Sequence, residues 1–150
     1  MNNDLDRARE LLLQGHYTCV LCHADSLRTD IRRGVMPLLS FLQEGTWTGY
    51  SAADKVVGKA TAFLYVLMDI RAVYAPVMSS AAIRILRDHH IDCCFETEVE
   101  AVFNRSRTGL CPMESAVRDI GDPQRALTAI TQTLQQMRSQ HTSREGAKQQ

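Results

Sequence analysis

Lysine is scarce in this chain, and its placement is informative. The 150 residues include 14 arginines but only three lysines, one of which, Lys148, stands near the C-terminal end. The other two, Lys55 and Lys59, are four residues apart and would share a face of a helix. A helix opening at Ser51 would carry both in its first two turns, where the helix dipole is positive and a cation is unfavourable. One reading is an anion site, in which free N–H groups and two ammonium groups meet a phosphate or carboxylate. The other is that both stems run along a buried helix and the heads reach water. Asp54 has two readings as well. Ser51-Ala-Ala-Asp54 matches a capping box, in which the carboxylate satisfies backbone donors. A carboxylate beside two lysines can also serve as a general acid or base. Capping is the simpler role, and one side chain can do both.

A second stretch, Gly109-Leu-Cys-Pro-Met-Glu114, places Pro112 at a first helical position, Cys111 at the N-cap and Glu114 three residues on. A thiolate is stabilised at a helix N-terminus, so Cys111 is the cysteine best placed to react, with Arg105 and Arg107 upstream to assist it or to hold an anion. Glu114 opposes that effect, and a small packed residue is the plain alternative. Cys19-x-x-Cys22-His23, His89-His90 and Cys93-Cys94 invite a metal reading. Both thiol pairs fall in predicted strands, however, where residues three apart or adjacent point to opposite faces, so buried packing is expected and no metal.

The elements that must position these groups follow from periodicity. A helix is predicted over residues 4–14, stopped by Gly15, then a hairpin of strands over residues 17–25 and 27–31, then a short helix over 37–43. The longest helix is predicted over residues 52–68, apolar almost all round and therefore packed on most sides. A strand over 72–75 ended by Pro76, a helix over 79–89 and a strand over 91–95 continue the alternation, which implies parallel strands joined by crossovers. Residues 99–103 fit a strand or a helical turn. After a polar loop over 104–109, helices begin at Pro112 and Pro123, the second reaching Arg138. A single α/β domain is thus expected over residues 1–138, a three-layer α/β/α sandwich, with a disordered polar tail over 139–150.

Composition narrows the function classes. The chain is 45% hydrophobic and 23% charged, with 17 basic residues against 17 acidic. That is a globular composition, and its zero net charge argues against nucleic acid as a partner. The longest apolar run, residues 60–68, is under half of what a bilayer requires. The first residues are acidic where a secretion leader is basic, and an odd number of scattered cysteines suits a reducing cytoplasm.

Three segments carry a resemblance: Gly49-Tyr-Ser-Ala-Ala-Asp-Lys-Val-Val-Gly-Lys-Ala60, Val73-Tyr-Ala-Pro-Val77 and Gly109-Leu-Cys-Pro-Met-Glu114. Together with the order of elements over residues 15–130, they resemble a bacterial family of domains of unknown function with a cytidine-deaminase-like fold. The resemblance implies an α/β/α sandwich with a mixed sheet and no established activity. Zinc deaminases carry H-x-E at one helix start and P-C-x-x-C at the next. Set against those signatures, this sequence has Ala52 and Asp54, then Val77 and Ser80 after Pro76, so the ligands of the zinc are missing and no cofactor is implied. The expected function is a metal-free, enzyme-like pocket for a small anionic molecule, nucleotides included. Cys111 would be the nucleophile and Asp54 would move protons. Lys59 and Lys55 would hold the anion or offer an amine, with Ser51, Arg105, Arg107 and Glu114 around them. The alternative is a non-catalytic binding module on the same fold. A homodimer through the apolar stripe Ala126, Leu127, Ile130, Leu134, Met137 is a further possibility, with packing on its own sheet the default.

Overall fold

The structure is a computed structural model that describes residues 3–104 and 109–148, with side chains described as far as residue 140. Helix α1, Asn3–Gln14, begins with Asp4 and Asp6 against the positive end of its dipole. Strands β1, Cys19–His23, and β2, Ser26–Asp30, pair antiparallel with Cys22 opposite Leu27. Their turn is tied back to α1: Ala24 N–H donates to Asp4 Oδ1 (3.1 Å) and Arg7 donates to Ala24 O (2.8 Å). Helix α2, Met36–Glu44, follows with Pro37 in its first turn, where a missing N–H costs nothing.

The next segment departs from the prediction. The helix expected over residues 52–68 is instead strand β3, Ser51–Asp54, a break at Lys55, strand β4, Val56–Val57, and helix α3, Lys59–Met68, with Gly58 as its N-cap. A strand buried on both faces is apolar all along, just as a buried helix is, so periodicity alone cannot separate the two. The deciding residues are the β-branched pair Val56-Val57 and Gly58, which inside a helix would cost about 1 kcal/mol relative to alanine. Ser51 therefore opens no helix, the Ser51–Asp54 capping box is not formed, and Lys55 and Lys59 share no helix face.

Strand β5, Ala72–Ser79, runs through Pro76 instead of ending before it, and its neighbours explain why. Ser51 lies opposite Ala72 and Val56 opposite Val77, both parallel, so β4 continues the line of β3 along one side of β5. The interruption at Lys55 falls at the level of Pro76, which has no N–H to donate. Helix α4, Ser80–Asp88, is capped by Ser79, whose hydroxyl accepts Ala82 N–H (3.1 Å). Strand β6, Asp92–Val99, outlasts its predicted end at 95 because Thr97 and Val99 also pair with β5, on its other side. Past it, Phe103 and Leu110 make one antiparallel bridge. Helix α5 is short, Pro112–Ala116, and α6, Pro123–Lys148, is longer than predicted, since the polar residues beyond Arg138 include good helix formers. The side chains of residues 141–148 lie outside those described.

The result is a mixed, open sheet with helices on both faces, in which β1 runs antiparallel to both β2 and β3; β5 and β6 are parallel, as the alternation predicted, and the unpredicted β3 is parallel to β5. Alternation along the strands divides the core. Cys19, Leu21, Ala52 and Val73 face α2, α3, α4, α5 and α6, while Val20, Cys22, Ala53 and Tyr74 face Ala8 and Leu12 of α1. Among the described residues no helix is long and apolar enough to cross a membrane. Because α1 supplies the apolar cover of that second face, Leu12→Ala is expected to cost about 2–4 kcal/mol in chemical denaturation, whereas Leu13→Ala, at a position 56% exposed, should cost under about 0.5 kcal/mol.

Candidate functional site

Where β3 stops, a cavity of about 290 Å³ opens, bounded by the break at Lys55, the start of α3, the loop before α2, Val102, and Cys111, Met113 and Glu114. Asp54, the last residue of β3, lies at its floor. In the register Asp54 is directly opposite Cys19 of β1, so the two side chains leave the same face of the sheet and both line the cavity. Tyr65 reaches them from α3: its hydroxyl donates to Asp54 Oδ2 (2.8 Å) and stands 3.4 Å from Cys19 Sγ. The N–H groups of Val56 and Lys55, at the interruption of the strand, also hydrogen-bond the same carboxyl, Lys55 N–H sharing itself with Thr18 O (3.4 Å). Burial dominates even so. It pushes Asp54 up to about 7 against the lowering effect of those hydrogen bonds. Burial likewise raises the Cys19 thiol and the Tyr65 hydroxyl, so both stay protonated around neutrality.

A second carboxyl enters from α5. Cys111 is the N-cap of that helix, as predicted, yet Glu114 does not close a box on it. Its side chain crosses to α3, where Oε2 accepts Lys59 N–H (3.1 Å) and Oε1 accepts Ala60 N–H (3.2 Å). The N-terminus of α3, where an external anion would otherwise sit, is thus met by the protein's own carboxylate. Burial raises Glu114, countered by the two backbone donors and by Lys59. The approach requires Gly58: a Cβ there would collide with Glu114 Oε1 and crowd Val102.

Of the residues singled out in the sequence, Asp54, Lys55, Cys111 and Glu114 come together around the cavity. Lys59 stands at the start of α3, but its ammonium donates to Arg118 O (2.9 Å) and lies over the Phe63 ring, away from the cavity. Ser51 is buried in β3 opposite Cys22, on the α1 side of the sheet and so across it from Asp54. Arg105 and Arg107 lie outside the described residues. Sequence reasoning missed Cys19, Tyr65 and Arg33. A tyrosine inside an otherwise apolar helix was the available signal, because a buried phenol seeks a hydrogen-bond partner. Cys19 and Cys22 pack on opposite faces, as expected of strand residues three apart. Among the described residues no group of three or more His, Cys, Asp or Glu is placed to hold a metal ion.

The profile of the family described as TM1506, domain of unknown function (DUF1893), matches residues 7–134. The chain belongs to the DUF1893 family. A crystal structure of a DUF1893 family protein (TM1506) from Thermotoga maritima is similar to it with a TM-score of 0.78 and 21% sequence identity, covering 91% of this chain and 92% of that one. At that identity the likeness speaks for the fold alone. No curated protein matches the chain.

Two outcomes follow for this DUF1893 protein. Gly58→Ala should destabilise it by about 1–3 kcal/mol, and much of that loss should vanish in a Glu114→Ala background, because the added methyl then meets a space instead of a carboxylate; a double-mutant cycle in urea measures the coupling. The pH dependence has a definite sign. Asp54 and Glu114 are both raised in the folded state, so each favours folding in acid and loses that contribution as pH rises through its folded value. For Asp54 the loss runs from about pH 4 to about pH 7. Urea midpoints should fall over that window, and Asp54→Asn should flatten the fall.

Proposed function

We propose that this DUF1893 protein holds a small anionic molecule, nucleotides included, in the cavity at the end of β3, and that Asp54 exchanges a proton with it. The supporting observation is the Asp54 carboxyl itself, buried at the cavity floor and poised at about 7, where a group can both give and take a proton near neutrality. Lys55 and Arg33, exposed where they line the cavity, are the cations for the anion. Cys111, half-buried in the same wall, is the nucleophile if a covalent step occurs. Lys59 and Ser51 take no part in this reading, given the directions their side chains take.

The deaminase-like ancestry of the fold belongs to this proposal, supported by the mixed sheet and by the cavity at the first turn of α3. Zinc does not fit it. The first turns of α3 and α4 carry Gly58, Lys59, Ala60 and Ser79, Ser80, Ala81, none of them an imidazole or thiolate ligand, and the step assigned to Asp54 requires no metal. The setting proposed is the cytoplasm, in keeping with five free cysteines.

A non-catalytic binding module is the second reading. It is favoured by Glu114, which already satisfies the helix N–H groups that a transition-state anion would otherwise meet. Native mass spectrometry of untagged protein purified without chelator, with amide-shift mapping during addition of inorganic phosphate and a nucleoside monophosphate, decides the matter. The expected result is saturable shifts at Gly34, Lys55 and Val56, and affinity reduced about tenfold by Lys55→Ala. Shifts elsewhere, or none, would overturn the pocket. If Asp54→Asn abolishes conversion of the bound molecule, the enzyme reading stands; saturable binding with no product supports the module.

A further inference from the structure

We propose that Tyr65 is the positioning residue of this site: its single hydroxyl joins the Asp54 carboxyl and the Cys19 thiol, two groups at the cavity floor, into one hydrogen-bonded unit that takes up and releases one proton. The inference rests on the assignment of Asp54 as the proton-exchanging group, and it adds the groups that govern that exchange.

Donor arithmetic carries it. A phenol has one proton to donate and oxygen lone pairs to accept with. Tyr65 Oη has two close polar side-chain neighbours, Asp54 Oδ2 at 2.8 Å and Cys19 Sγ at 3.4 Å. An ionised carboxylate only accepts, so in that state Tyr65 must donate to Asp54 and the Cys19 S–H must donate to Tyr65. When a bound molecule passes a proton to Asp54, the carboxyl becomes the donor to Tyr65 Oη, and the Tyr65 hydroxyl proton turns to Cys19 Sγ. The thiol keeps its own proton, and its S–H bond rotates away from Tyr65. One O–H bond forms at Asp54, one bond to hydrogen breaks in the bound molecule, and nothing is oxidised or reduced.

Placement supports the same conclusion. The three groups come from β3, α3 and β1, and each is essentially sealed from solvent, with relative exposures of 9%, 0% and 1% for Asp54, Tyr65 and Cys19. Tyr65 stands behind the wall that Asp54 and Cys19 line, so it acts on a bound molecule only through them. The other titratable groups around Asp54 are its chain neighbour Lys55 and, on the cavity wall, Arg33, Cys111 and Glu114; Asp30 of β2 acts on Cys19. Tyr65 is the side chain that hydrogen-bonds directly to Asp54.

Carbon-detected NMR titration of the Asp54 carboxyl in the ligand-free protein tests this without reference to any ligand, so it can fail while the pocket survives, and the reverse. Tyr65→Phe removes the donor to the ionised form, and the Asp54 midpoint should rise by about one pH unit. Cys19→Ala should also raise it, while Cys19→Ser, which keeps a donor to Tyr65, should hold it at or below the wild-type value. An unchanged midpoint in a folded Tyr65→Phe variant overturns the proposal. Should that variant fail to fold, equal midpoints for Cys19→Ala and Cys19→Ser overturn it equally well.

Discussion

The site depends on an interruption in a central strand. A strand buried in the middle of a sheet is held by ladders on both sides, and stopping it strands polar backbone groups that must be satisfied some other way. Here the stop falls at Lys55, level with Pro76 of β5, at the place where the neighbour has no N–H to offer. The amides of Lys55 and Val56 reach the Asp54 carboxyl there, while Lys55 N–H also keeps a long bond to Thr18 O (3.4 Å). The same interruption ends β3 early enough for the chain to turn at Gly58 and begin α3. Carboxyl, cavity and helix start are therefore consequences of one local event.

Gly58 and Glu114 fix the other wall. The first N–H groups of α3 face the cavity side and require acceptors, which Glu114 supplies from a distant part of the chain. The contact closes only because Gly58 has no Cβ, so the conformation of one residue ties α5 to α3. Met113 of α5 and Val117 just after it add apolar burial beneath it. The segment that carries Cys111 to the cavity is thus anchored on both sides: Cys111 N–H donates to Val102 O (3.0 Å), and three residues later Glu114 is fastened to α3.

Much of this architecture was legible in the sequence, and the part that was not has a common cause. Helices α1, α2 and α4 and the β1–β2 hairpin are amphipathic or bounded by Gly15, Pro37 and Ser79, so period and caps locate them closely. Residues 51–68 are mostly apolar with their few polar side chains scattered, and a pattern without a polar face carries no period to read. The error there propagated. It put Ser51 and Lys59 into a site that the sheet and helix geometry divide, and it set the deaminase signature on Ala52 and Asp54 as though they began a helix, when both lie in β3. Asp54 itself was singled out partly for a reason that did not hold, as a cap, and its place at the cavity comes from the end of β3 instead. Cys19 and Tyr65 were invisible because their importance comes from a cross-strand pairing and a helix 46 residues away, neither of which is local in sequence.

Two carboxyls line the cavity, and the constraints on them differ. Both oxygens of Glu114 are engaged by the first amides of a ten-residue helix, whose donors cannot reverse. Those fixed donors only partly offset the burial that raises Glu114, and their part is to tie α5 to α3. Asp54 also receives backbone donors, but its strongest side-chain partner is a hydroxyl, a group that can exchange the roles of donor and acceptor without moving its oxygen. The phenol can partner that carboxyl in either charge state. A carboxyl whose side-chain partner can reverse its role suits the proton exchange proposed for Asp54, and one held by fixed donors suits a structural tie. The cavity has one of each, and the difference comes from the partner: a phenol for Asp54, a helix N-terminus for Glu114.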